Sequence, residues 1–158
     1  LVKEKISTEE LTNRIVSQMR TNFEAKRQTV TVTINASFVQ ADFKRVEQVL
    51  VNLLDNASKY SPAGGSIHVV WEEDEERDVL LRIEDTGPGV PAADHDRLFE
   101  RFYRVDKGRS RDTGGTGLGL AIVKHIMQRH GGAVWVQSEV GRGARFTCQF
   151  PNETPTRS

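Results

Sequence analysis

The chain has a single cysteine, Cys148, among its 158 residues. An internal disulfide framework and any metal site built from several thiolates are therefore excluded, and a reducing compartment fits. No apolar run approaches the about 20 residues needed to cross a bilayer, and no signal-peptide pattern opens the chain. Net charge is absent as well: 22 Lys and Arg balance 22 Asp and Glu. That argues against nucleic-acid binding by bulk charge, which needs a basic face to neutralise phosphates. The four histidines, His68, His95, His125 and His130, offer no pair at metal-ligand spacing with a suitable carboxylate, and read as surface or packing residues. There is no internal repeat and no low-complexity segment. What is present is 37% hydrophobic and 28% charged, the balance of one soluble domain with a core of its own.

Periodicity lays out the elements. Residues 1–6 read as a linker. Ser7 stands three before Glu10, the spacing of a capping box, and Leu11, Ile15, Met19 and Phe23 continue with helical steps, predicting one helix over about 8–26. Thr29–Ile34 (TVTVTI) alternates as a strand, a short extended piece covers 38–41, and Asp42 is a good N-cap for a helix to about Tyr60. Strands are expected at 67–71 and 79–84, then a loop over 85–91 and a short helix carrying Leu98, Phe99, Phe102 and Tyr103. Residues 105–116 lack apolar periodicity and read as a mobile loop. A helix over 118–130 stops at Gly131–Gly132, and a hairpin spans 133–138 and 144–150. The sum is an α/β two-layer sandwich: a mixed sheet of about five strands against about three helices.

Three places carry chemistry. On the helix after Asp42, Val46, Leu50, Leu53 and Ala57 form the apolar stripe, and Asn52, Asn56, Lys59 and Tyr60 line a second stripe beside it. An amide carbonyl is a hard oxygen that suits Mg²⁺, and an ammonium suits phosphate; the plainer reading is the solvated edge of an amphipathic helix. Next, Glu84-Asp85-Thr86-Gly87-Pro88-Gly89 puts a carboxylate at a strand end, able to accept from an exocyclic amine, with glycines that let a flat ring approach the backbone. A tight turn alone would use the same residues. Finally, Gly114-Gly115-Thr116-Gly117-Leu118-Gly119-Leu120 closes a loop and opens a helix, whose free amides suit phosphate oxygens. It lacks the Lys and hydroxyl of a P-loop and follows no strand.

In this order, Asn52-x-x-x-Asn56, Asp85-x-Gly87-x-Gly89, Phe99-x-x-Phe102, Gly115-x-Gly117-x-Gly119 and Gly141-x-Gly143 resemble the N, G1, F, G2 and G3 boxes of sensor histidine kinases. The match covers about 29–151 and looks like the catalytic and ATP-binding domain with its Bergerat (GHKL) fold, filling 7–151 between a linker stub at 1–6 and a tail at 152–158. The resemblance implies Mg²⁺ on Asn56, with Asn52 supporting metal and phosphates, and contacts from Lys59 and Tyr60 to phosphates and the nucleotide edge. It implies that Asp85 accepts from the adenine amino group, that Gly87 and Gly89 let the ring lie close, and that Arg104 meets the γ-phosphate. Gly115, Thr116, Gly117, Leu118, Gly119 and Leu120 would end a lid over about 104–116 and present amides to the phosphates. Thr147 would reach adenine through water, or else is a polar outward strand position. Phe99 and Phe102 read as packing; Lys107, Arg109 and Arg111 as a solvated loop or contacts to phosphates or an acidic partner.

The same resemblance implies ATP or ADP and Mg²⁺ as ligands and γ-phosphoryl transfer to a histidine on a separate dimerisation hairpin. It implies a response-regulator receiver as partner, no nucleic acid, and a monomeric, cytoplasmic catalytic domain from a homodimeric parent in the bacterial membrane. His95-Asp96 is the one His–acid pair, but no proline follows, so it is rejected as the phosphoacceptor. Rival readings are an ATP hydrolase of the gyrase, mismatch-repair or chaperone type and a nucleotide-dependent regulatory module. The hydrolases carry a water-activating glutamate where this chain has Asn52, and an amide is no general base.

Overall fold

Alternating β-branched and apolar residues build the sheet that carries everything else. The structure, a computed structural model, describes residues 1–101 and 118–152. Its strands β2 (Thr29–Ile34), β4 (Ser66–Glu73), β5 (Val79–Asp85), β6 (Ala133–Glu139) and β7 (Gly143–Phe150) form one five-stranded sheet in the order β2-β4-β5-β7-β6. β2 runs parallel to β4 and the other neighbours are antiparallel. A second sheet pairs β1 (Lys3–Ser7) with β3 (Phe38–Asp42). The helices are α1 (Thr8–Gln18), α2 (Arg20–Ala25), α3 (Phe43–Tyr60) and α4 (Gly119–Arg129), with a 3-10 segment at Ala92–Arg97. The mixed five-stranded sheet with helices against it is the two-layer α/β sandwich read from the sequence.

Because side chains alternate along a strand, one sheet face carries Ile67, Val69, Trp71, Leu81, Ile83, Phe146, Cys148 and Phe150, all buried. Against it lie Ile15 of α1, Val46, Leu50, Leu53 and Ala57 of α3, and Val123 and Met127 of α4. Trp71 stacks on Phe150 with ring centroids 6.1 Å apart, and its Nε1 donates to Thr12 Oγ1 at 2.8 Å, tying α1 to the sheet. Phe99 meets Phe146 edge to face at 6.1 Å, the packing role expected of it. The other face carries ion pairs of Arg82 with Glu72 and Glu84. No described helix is long and apolar enough to cross a membrane.

Three local expectations change. The helix expected over 8–26 begins as foreseen, Ser7 Oγ accepting from the Glu10 amide at 3.2 Å, but it breaks at Met19. Thr21 and Asn22, poor helix formers, follow the break, and α2 then buries Phe23. Residues 3–6, read as linker, form β1 together with Ser7; only Ile6 is buried along it, so no alternation betrays the strand. Leu98 and Phe99, expected on a short helix with Phe102 and Tyr103, lie in a turn that follows the 3-10 segment Ala92–Arg97. Phe102, Tyr103, the loop over 105–116 with Lys107, Arg109 and Arg111, and the tail beyond Asn152 lie outside the described residues.

Candidate functional site

One wall of the site is α3. Asp42 starts it, Oδ1 accepting from the Arg45 amide at 3.2 Å, and the chain leaves in extended form at Ser61, ahead of Pro62. With the apolar stripe buried in the sheet, Asn52, Asn56 and Lys59 come out half-buried along the adjoining face and Tyr60 exposed at its end. Lys59 Nζ pairs with Asp55 Oδ2 at 2.8 Å, one turn back. The Asn56 side chain has no hydrogen-bond partner among the described residues, which leaves its Oδ1 available.

The opposite wall is the end of β5. Asp85 is 9% exposed, and one of its oxygens, Oδ1, accepts both the Gly87 amide (2.9 Å) and the Ala144 amide (3.3 Å). Oδ2 accepts nothing from the described residues. Burial raises the Asp85 carboxyl above the usual carboxylate range, against the opposing pull of those two amides. The turn after Asp85 is laced to the β6–β7 hairpin: the Gly141 amide donates to Pro88 O at 2.6 Å, the Val90 amide to Ser138 Oγ at 2.7 Å, and Ser138 Oγ to Gly143 O at 2.8 Å.

Two glycines hold these walls at their spacing. A β-carbon on Gly87 would stand 2.6 Å from the Tyr60 carbonyl oxygen, so the end of α3 and the β5 turn touch only because that atom is missing. Gly143, at φ +88°, would put a β-carbon 2.0 Å from Asp85 O, closing off every side chain there. Between the walls opens a cleft of about 480 Å³ lined by Lys59, Tyr60, Ser61, Pro62, Thr86, Gly87, Pro88 and Gly141. Midway along α3, Asn52 Nδ2 donates to Gly119 O at 3.4 Å, which seats the first turn of α4 against Asn52.

Of the expected residues, Lys59, Tyr60 and Gly87 line the cleft and Asp85 is hydrogen-bonded to Gly87 at its edge, while Asn56 and Asn52 lie one and two turns back along α3 from Lys59, Asn52 against Gly119 at the start of α4. Arg104, Gly115, Thr116 and Gly117 lie outside the described residues. Thr147 is a correction. It pairs with Arg82, on the sheet face opposite the one that carries Asp85, and it is 2% exposed between its neighbours there; it does not reach the cleft. The amide that does reach Asp85 is that of Ala144, three residues earlier. A backbone donor leaves no mark on residue type, so the sequence could not name it. Ser138 was missed for a similar reason, as an ordinary polar position in a strand.

The donor set suits a hard divalent cation: two carboxamides one turn apart on α3 can supply one or two oxygens, the rest coming from phosphate and water. Among the described residues no cluster of three His, Cys, Asp or Glu offers an all-protein cage.

Residues 41–154 match the family described as histidine kinase-, DNA gyrase B-, and HSP90-like ATPase. Sensor histidine kinase WalK of Bacillus subtilis (strain 168) is 45% identical over 115 residues, 72% of this chain and 19% of WalK, so the chain corresponds to about a fifth of that relative. The solved structure of mycobacterial sensor histidine kinase MprB superposes with a TM-score of 0.81 at 31% identity, over 95% of this chain and 97% of that one. Full-length ShkA in complex with AMPPNP gives 0.83 at 31%, over 96% of this chain and 31% of that one. Since the matched stretch runs from the end of β3 to beyond β7 and so takes in both walls of the cleft, the chain belongs to the histidine kinase-, DNA gyrase B-, and HSP90-like ATPase family, and within it to the ATP-binding catalytic domains of sensor histidine kinases.

Proposed function

We propose that the cleft holds Mg²⁺–ATP and presents its γ-phosphoryl group to a histidine on a separate dimerisation hairpin, from which a response-regulator receiver takes it. The observation that carries this is Asp85: one oxygen is fixed by two backbone amides, and the other accepts nothing from the described residues beside a glycine-lined cleft. A carboxylate held so accepts from the amino group of adenine and disfavours guanine, which has a carbonyl at that place. Gly87 admits the ring against bare backbone. Lys59 exchanges Asp55 for phosphate, and the first-turn amides of α4 take phosphate oxygens. Asn56, with Asn52 behind it, would hold the cation, whose contribution is to neutralise charge on the β- and γ-phosphates. Arg104 steadies the transferring group.

Transfer breaks the bond between the γ-phosphorus and the β–γ bridging oxygen, which leaves with ADP. It forms a phosphorus–nitrogen bond on the imidazole, whose proton goes to solvent. Little covalent chemistry falls to the domain; positioning and electrostatics supply the rate. Hydrolysis is the lesser alternative: position 52, where the resemblance puts the water-activating glutamate of the hydrolases, is an amide and no general base. The likeness to sensor kinases also suggests a membrane-anchored, dimeric parent with this domain in the cytoplasm. Mixing the protein with ATP, Mg²⁺ and an isolated family hairpin tests the reading. An acid-labile, base-stable phosphoryl group should appear on the hairpin, and its absence under conditions where ADP binds would refute kinase activity.

A further inference from the structure

The far side of the cleft wall, away from any nucleotide, is held by a pair of side chains. A helix leaves its last carbonyls without partners, and the common remedy is a left-handed glycine that turns the chain back over them. Here α3 does not end that way: Ser61 leaves extended, at φ −84° and ψ 144°. The carbonyls are met from another element instead. Lys26, after α2, sends Nζ to the carbonyl oxygens of Ser58, Lys59 (3.3 Å) and Ser61 (2.9 Å). Gln28, 8% exposed, donates from Nε2 to Ser58 O at 2.9 Å and Ser61 O at 3.1 Å, while Ser58 Oγ donates back to Gln28 Oε1 at 2.7 Å. The main chain joins in: Gly64 N–H donates to Lys26 O at 2.8 Å and Thr29 N–H to Gly65 O at 3.0 Å. Between the two side chains Arg27 sits at φ +51°, a left-handed conformation that a non-glycine residue adopts at a cost.

The segment clamped from behind is the one that faces the cleft. Lys59, Tyr60, Ser61 and Pro62 line it, and the Tyr60 carbonyl is the atom that Gly87 must clear. We infer that Lys26 and Gln28 are positioning residues for nucleotide binding: they fix the end of α3 at the spacing from the Asp85–Gly89 turn that an adenine ring requires, without touching the nucleotide. The inference rests on the reading of the cleft as a nucleotide site. Because the clamp holds the backbone that carries both Lys59 and Tyr60, its loss costs AMP as well as ADP, with the shift of Lys59 adding to the cost for ADP.

The experiment measures AMP and ADP affinity by calorimetry, with Mg²⁺, for wild type, Lys26→Met, Lys26→Arg and Gln28→Ala, each checked by circular dichroism to be folded at the working temperature. With the hairpin as acceptor, KM for ATP and kcat are measured in parallel. Lys26→Met should weaken both nucleotides, ADP about ten-fold, the scale of a charged hydrogen-bond set, and raise KM by a like factor with kcat within about two-fold. Lys26→Arg should recover most of the affinity. Gln28→Ala, which keeps the ammonium, should lose about three-fold and gives the answer if Lys26→Met does not fold. Folded Lys26→Met or Gln28→Ala binding ADP as wild type does overturns the inference alone. Wild type that binds no ADP overturns the nucleotide reading, and this inference with it.

Discussion

Asp85→Asn separates the adenine contact from the fold better than any other change. Asn has nearly the same shape, and its carbonyl oxygen can stay where Oδ1 accepts the Gly87 amide at 2.9 Å and the Ala144 amide at 3.3 Å. Those bonds weaken, because the acceptor is no longer charged. The burial penalty that raises the Asp85 carboxyl disappears at the same time, so stability at neutral pH should move by no more than about 1 kcal/mol. Binding should suffer far more. Oδ2, which accepts nothing from the described residues, becomes an NH₂ facing the adenine amino group, donor against donor. Losing a hydrogen bond to a charged acceptor costs about 1.5–3 kcal/mol, or about 10- to 150-fold in ADP affinity. Calorimetric titration with Mg²⁺ and ADP reads the loss, thermal denaturation reads the fold, and GDP is the control: the new donor should narrow the preference for ADP. A folded Asp85→Asn protein that binds ADP within about two-fold of wild type would refute the assignment of the carboxylate to adenine.

The same carboxyl sets a pH dependence. Its folded value lies above its unfolded one, so the folded state holds the extra proton in the window between them. Its contribution to stability is therefore present below that window and lost as pH rises through the raised value. ADP affinity should move the opposite way, falling as pH drops through it, and titrations at several pH values should lose this slope in Asp85→Asn. Gly87→Ala should weaken ADP binding at least ten-fold, since its methyl must push the Tyr60 carbonyl out of a 2.6 Å approach; unchanged affinity would mean that the walls part freely. Leu53→Ala, 1% exposed in the core side of α3, should cost about 2–5 kcal/mol in urea denaturation, and a loss below 1 would show that α3 is not anchored as described.

Legibility of this protein in its sequence follows from whether a residue's role is local. Side-chain periodicity is local, so the strands, the cap at Asp42, the buried and half-buried stripes of α3 and the two-layer architecture could be read in one dimension. Ordered motifs were equally visible: the Asn52–Asn56 stripe, the Asp85 turn and the glycines each announce a backbone or donor requirement, and the fold brings the end of α3 against the Asp85–Gly89 turn. Contacts between distant backbones were not visible. Strand β1 hides because burying one residue, Ile6, makes no pattern, and the apolar steps Leu11, Ile15, Met19 and Phe23 run straight across the break at Met19. The resemblance placed Thr147 near adenine, with an outward strand position as the alternative; the register of β7 against β5 turns it to the far face and offers the Ala144 amide instead. Sequence alone decided the five strands of the main sheet, the two helices that begin at Asp42 and at Leu118, and which chemistry-bearing residue types stand on them. The tertiary structure decided which oxygen of Asp85 the Gly87 and Ala144 amides tie, how closely Gly87 and Tyr60 approach, and which side chains clamp the end of α3, because each is set by pairing between segments that the chain order keeps apart.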